Sequence, residues 1–188
     1  LASDLLEQAL DIYENLGHAL GVARCHEGLG RVALSRGELA AASDRFQEAM
    51  GLFGNLEAMN GIADCLIGLA AVARSRGDHG VAILWCERAL ELQESLGTGD
   101  SVKTRLEIGR THMAASGLDK AHEEFFAVAQ SAAQEGRRTI LAQTHAGLLL
   151  IAGQRQMWDD WAVHLGELER LLEATQMVDY VVAQGVGQ

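Results

Sequence analysis

Apolar residues recur at three- and four-residue spacing along almost the whole chain, as in Phe46, Ala49, Met50 and Phe53, with polar residues between them. That period puts one buried stripe on a helix, and no stretch shows the period of two that a half-buried strand requires. The stripes predict second-type helices at about 2–15, 38–54, 78–96, 118–134 and 157–174. They predict first-type helices at about 19–36, 58–76, 100–116 and 138–152. The pattern also repeats. Leu16, Leu56 and Leu96 lie forty residues apart, as do Ala9, Ala49 and Ala89, and Cys25 and Cys65. The segment from Gly28 to Arg36-Gly37 is echoed by the segment from Gly68 to Arg76-Gly77. The chain has no proline, in keeping with helix throughout, since an interior proline removes a donor and clashes with the preceding turn.

Units of this size, each a pair of helices, stack on one another. The expected fold is therefore all-α, a right-handed superhelical solenoid of antiparallel hairpins in units of about 40 residues. It forms a single array over 1–188, divided at about 1–17 (a second-type helix alone), 18–57, 58–97, 98–136, 137–175 and 176–188 (the start of a further helix). Gly37, Gly77, Gly117 and Gly153 fit the left-handed position that closes each first-type helix, where the missing Cβ removes the steric cost. Glu38, Asp78 and Leu118-Asp119 then open the second-type helices, two of the three junctions placing an acid at the positive helix end. The chain begins at Leu1 and ends at Gly185-Val186-Gly187-Gln188, which reads as a piece of a longer protein. Its two end units lack the polar outer faces of capping repeats, so the ends are expected to expose apolar surface that supports self-association.

Small residues mark where the two helices of a unit approach. Leu29-Gly30 is followed by Ala42, Phe46 and Ala49; Leu69-Ala70 by Ala82, Cys86 and Ala89; Ile108-Gly109 by Ala121, Phe125 and Val128. The fifth unit has Ala146 but Trp158 where alanine is expected. A glycine or alanine at the crossing admits close backbone approach, and an aromatic from the second helix fills the adjacent space. This leucine-glycine and alanine-x-x-x-phenylalanine pattern resembles the tetratricopeptide repeat over nearly the whole chain. Departures are the unit of about 40 residues against the family's roughly 34, the absent terminal proline, and His26 and Leu66 where the family carries tryptophan. The longer unit resembles the arrays of large bacterial signalling ATPases and serine/threonine kinases. Leu10-Asp-Ile-Tyr-Glu-Asn-Leu-Gly17, Trp158-Asp-Asp-Trp-Ala-Val-His-Leu165 and Leu171-Leu-Glu-Ala-Thr175 are similar to phrases of those proteins. The resemblance implies a non-enzymatic protein- or peptide-binding module in bacterial signal transduction. Its alternative is a sensor segment that controls a kinase or nucleotide-binding switch domain of the same polypeptide.

Composition narrows the picture little. The 188 residues are 48% apolar and 22% charged with a net charge of −11. That charge disfavours general binding of nucleic acid, which needs basic surface. No apolar run reaches the roughly 18 residues of a membrane span; Ala146 to Ala152 is too short. Three cysteines without metal spacing fit a reducing, cytoplasmic setting.

The search for chemistry returns mainly core and surface roles, with no cofactor, metal or catalytic residue expected. Cys25, His26 and Cys65 could suggest a metal or thiol site, but cysteine more commonly packs as a small apolar residue. His112, His122 and His145 read as partly buried neighbours. Trp158 and Trp161 read as core with Leu165, Leu168 and Leu172, against a recognition surface with Trp85. Glu123-Glu124 and Asp159-Asp160 read as solvated acids. The informative surface is the concave face, which the first-type helices line. The repeat register turns Arg24, Glu27, Arg31, Asp64, Arg74, Lys103, Glu107 and Arg110 toward it. Five are basic and three acidic, a local balance opposite to that of the chain. These charges either recognise an acidic or phosphorylated segment or pair with one another. Arg31, Arg74 and Arg110 are expected on one strip. The asparagine-lysine clamp of related chaperone-binding arrays is not matched, which argues against peptide C-termini.

Overall fold

A computed structural model describes residues 2–97 and 101–173. The described residues form helices α1 (Ala2–Asn15), α2 (Ala19–Ser35), α3 (Leu39–Asn55), α4 (Met59–Arg76), α5 (His79–Ser95), α6 (Val102–Ala114), α7 (Leu118–Gln134), α8 (Arg138–Gln154) and α9 (Trp158–Glu173), with no strand among them. The helix start expected near 100 and the further helix expected at 176–188 fall outside the described residues. The chain divides into two compact units, Leu1–Glu107 and Ile108–Gln188. In the first, α1 packs on α2, α2 on α3, α3 on α4 and α4 on α5, and α2 also meets α4; in the second, α7 packs on α8 and α8 on α9. Each unit is thus a stack of antiparallel helical hairpins, all-α and solenoid-like.

The turns obey one rule. Left-handed backbone occurs at Gly17, Gly37, Glu57, Gly77, Gly97, Ser116, Gly136 and Gln156, twenty residues apart except for nineteen between Gly97 and Ser116. Where the next residue is described, the two amides close a Schellman cap. Gly37 N–H donates to Leu34 C=O and Glu38 N–H to Ala33 C=O at 2.9 Å, and Gly77 and Asp78 repeat this onto Arg74 and Ala73. Both kinds of junction therefore use the same device, and the structural period is half that of the sequence. Two expectations change. Gly117 has φ −84° and caps the start of α7, the left-handed place being held by Ser116. Gly153 lies inside α8, which runs to Gln154, and Gln156 takes the turn. A polar side chain tolerates this conformation at modest cost, so glycine is a sufficient but not a necessary signal.

The positions assigned to tight packing are all buried: Leu29, Gly30, Ala42, Phe46, Ala49, Leu69, Ala70, Ala82, Ala89, Ile108, Gly109, Ala121 and Phe125. The glycines have a direct cause. A Cβ on Gly30 would lie 3.0 Å from the Phe46 ring and one on Gly68 only 2.6 Å from it, so the ring is held between α2 and α4 by two missing side chains. Phe125 is held in the same way by Gly109 and Gly147, at 2.6 and 2.5 Å. Trp158 departs from the expected core stripe. It is 63% exposed, whereas Trp161 is half-buried. As the first residue of α9, its side chain leans toward the helix N-terminus and off the end of the hairpin.

Candidate ligand-binding face

Three first-type helices, α2, α4 and α6, bring most of the proposed charged residues together in the first unit. Arg24 and Arg31 are exposed on α2, one turn to either side of Glu27, which is buried. Arg31 Nη2 donates to Glu27 Oε1. Lys103 Nζ of α6 reaches Asp64 Oδ1 of α4 at 3.2 Å. Burial pushes the Glu27 carboxyl above its ordinary range; Arg31 counters this most, Asp64 reinforces it, and Arg24 and Lys103 counter it further. Five of the eight residues thus interact within one cluster of three bases and two acids.

Arg74 and Glu107 play another part. Arg74 Nε donates to Glu107 Oε1 at 2.6 Å, and the carboxylate is only 4% exposed. Arg74 stands three residues before its turn residue, Gly77, whereas Arg31 and Arg110 each stand six before theirs, Gly37 and Ser116. Ala71 occupies the equivalent place on α4. The three arginines are therefore not in corresponding positions, and Arg74 has a structural partner. Arg110 belongs to the second unit, where it is half-buried. All three acids named on this face are bonded to bases named with them, so mutual pairing is present in the folded chain.

Cys25, Cys65 and Cys86 are buried free thiols. Burial, with smaller contributions from Glu27 and Asp64 at Cys65 and from Glu107 at Cys86, pushes those two thiols up to about 12, far from the thiolate a nucleophile needs. His26 Nδ1 lies 2.8 Å from Glu48 Oε2 and 3.1 Å from Arg45 Nη1. Among the described residues no three or more His, Cys, Asp or Glu side chains are grouped to hold a metal ion. Asp159 and Asp160 are exposed at the start of α9. No described helix is long and apolar enough to cross a membrane.

Two arrangements escaped the sequence reading. The arginine of each Arg-Gly pair clasps a neighbouring hairpin: Arg36 Nη2 donates to Ser3 Oγ at 3.0 Å and Arg76 Nη2 to Leu39 C=O at 3.2 Å. Arg155, likewise just before a left-handed residue, donates to Asp119. Its signal was present, since a base precedes the turn residue in each case. The second is the His145–His164 pair, with Nδ1 atoms 3.2 Å apart across α8 and α9. Nineteen residues separate the two, and no spacing rule announces them.

Hairpins of small-residue crossings and left-handed turns, presenting charged first-type helices, define a helical-repeat scaffold. Residues 1–54 match the tetratricopeptide repeat family model, and the described hairpins carry that repeat's fold beyond it. No curated protein sequence matches the chain. Among solved structures, a Rap protein complexed with competence and sporulation factor superposes with a TM-score of 0.84 at 13% identity, over 99% of this chain and 55% of that one. BtubC from P. vanneervenii gives 0.71 at 13% identity over 95% of this chain and 74% of its own. A Podosopora anserina kinesin light chain with nearly identical TPR-like repeats gives 0.59 at 15% identity, over 93% and 86%. The chain spans about half of the Rap protein, and at these identities the likeness is one of fold.

Proposed function

We propose that this chain is a non-catalytic scaffold that binds a partner protein through its first-type helices, and that the guest is an acidic or phosphorylated segment. The observation that carries this reading is the presentation of Arg24, Arg31 and Lys103 as solvent-facing heads on one face of a chain whose net charge is −11. Guanidinium groups favour carboxylate and phosphate through paired donors. Arg24 makes no ion pair among the described residues, Arg31 keeps a side chain 59% exposed while bonded to buried Glu27, and Lys103 is held to Asp64 by an exposed contact. A fold-mate, the Rap protein, is complexed with a factor, which supports binding as the use of such a stack. Fluorescence anisotropy of labelled hexaglutamate and of a phosphoserine peptide tests the reading. Binding is expected to weaken as salt shortens the Debye length from about 10 Å at 0.1 M. Reversing Arg24, Arg31 and Lys103 to glutamate is expected to abolish it while the helical circular dichroism is kept. Binding that ignores the triple reversal would refute the assignment.

A further inference from the structure

Glu27 is an unusual member of the charged face. Its carboxylate is buried, yet its counterion, Arg31, sits one turn along the same helix with a side chain 59% exposed. Arg31 can swing into solvent on its long stem; Glu27 cannot follow. Asp64 differs, since its side chain keeps 30% exposure and remains hydrated when Lys103 leaves. The charged and titratable groups that interact with Glu27 are Arg31 and Arg24 from α2, Asp64 and Cys65 from α4, and Lys103 from α6.

We propose that Glu27 and Asp64 are internal place-holders for the acidic groups of the guest: a guest carboxylate takes Arg31 from Glu27 and Lys103 from Asp64, and Glu27 takes up one proton from solvent as the guest binds. This rests on the acidic-guest reading above. The step exchanges one hydrogen-bonded ion pair for another at each base, moves one proton from the buffer to Glu27, and makes or breaks no other covalent bond. Its cause is the cost of a buried carboxylate without a counterion, which far exceeds that of the neutral acid. Burial already raises Glu27 and Arg31 is the chief opposing influence. With Arg31 engaged elsewhere, burial and the nearby Asp64 charge act in the same direction.

The test is isothermal titration of hexaglutamate into the chain in buffers of different ionisation enthalpy. The wild type is expected to take up a proton on binding, its affinity rising by up to about tenfold per pH unit as pH falls from about 7.5 to 6, the limit for one linked proton. Glu27→Gln imitates the protonated acid. It is expected to bind about fivefold or more tighter at pH 7.5, with no proton uptake and a flat pH profile. Asp64→Asn is expected to tighten binding and keep the uptake. Binding without uptake, uptake that survives Glu27→Gln, or weaker binding by Glu27→Gln overturns the proposal and leaves the acidic-guest reading standing. Absence of hexaglutamate binding, or binding of hexalysine in its place, defeats that reading and this proposal with it. A guest-free check uses carboxyl-carbon NMR: Glu27 is expected to titrate higher in Arg31→Gln than in wild type, and an unchanged titration overturns the exchange.

Discussion

Two seams of the first unit, where α3 meets α4 and where α5 meets α6, occupy equivalent places one repeat apart and are built from opposite chemistry. In the first, Phe46 and Phe53 of α3 are buried, with Gly68 and Cys65 of α4 across from them. In the second, forty residues on from the phenylalanines, stand Cys86 and Gln93. The places of Gly68 and Cys65, counted back from the turn residues Gly77 and Ser116, are taken by Glu107 and Thr104. Thr104 Oγ1 donates to Gln93 Oε1 at 2.9 Å, and Glu107, held by Arg74, lies near enough to Cys86 to raise its thiol. Where one seam holds a phenyl ring beneath a glycine, the other holds a thiol beside a carboxylate. The lesson is that a repeat can keep its backbone while exchanging the source of its cohesion. Apolar burial is tolerant of direction, but a buried carboxylate is stable only while its partner is present.

Breaking each seam at its own keystone is expected to have the largest effect. Phe46→Ala leaves a cavity costing about 3 to 5 kcal/mol, and Arg74→Ala takes from buried Glu107 the guanidinium that its Oε1 accepts from, at a cost of up to about 3 to 5 kcal/mol. Urea midpoints measure both. If Arg74→Ala leaves the midpoint where it was, the polar seam does not depend on its ion pair. Next in size is an attempted conversion. Cys86→Phe puts a ring where Glu107 stands and is expected to cost about 1 to 3 kcal/mol through overpacking. Glu107→Gly alone also destabilises, because it breaks the pair with Arg74. Together with Cys86→Phe it makes room for the ring, so the double variant is expected to lose less than the sum of the two single losses in a double-mutant cycle. Additive values would mean that the ring and the carboxylate do not share space. In the apolar seam, Gly68→Leu is expected to cost more than Gly30→Leu, because the new Cβ would stand 2.6 Å rather than 3.0 Å from Phe46.

A polar contact in the second unit extends the comparison to pH. His145 is held below the ordinary 6.5 by burial, then by His164 and Arg170, with Glu167 opposing. His164 is held below it by burial and then by His122, with Asp160 opposing. The unfolded chain therefore binds more protons than the folded one. Stability is full above pH 6.5 and is lost as pH falls from there toward the folded values. Calorimetric scans between about pH 7.5 and 5.5 are expected to show Tm falling on acidification, with a shallower fall in His164→Phe. A slope that steepens in that variant would refute the assignment.

The smallest effects belong to the turns. Glu57 holds a left-handed φ of 53° that Gly77, one half-repeat later, adopts without strain. Glu57→Gly is expected to gain, and Gly77→Ala to lose, about 1 kcal/mol or less. Equal and opposite shifts in thermal midpoint would show that the two kinds of junction are energetically alike.

Helix positions, the forty-residue period and the buried crossings were determined by the sequence itself, because a stripe of apolar residues and a glycine at a close approach are local requirements read from local spacing. Phe46 with Gly30 and Phe125 with Gly109 could be paired on the page for that reason. The identity of the turn residue was partly hidden: Ser116 and Gln156 do what Gly37 and Gly77 do, since a turn imposed by two packed helices can carry a modest backbone penalty. The charged face shows the limit most plainly. Sequence register gathered Arg24, Glu27, Arg31, Asp64, Arg74, Lys103, Glu107 and Arg110 as one set with two open meanings. Tertiary structure separated Arg74–Glu107, buried in a seam, from Arg31–Glu27 and Lys103–Asp64, and it alone brought His145 to His164. Pairing between residues nineteen to thirty-nine positions apart depends on which helices touch and how deeply each group is desolvated, and neither is written in spacing along one chain.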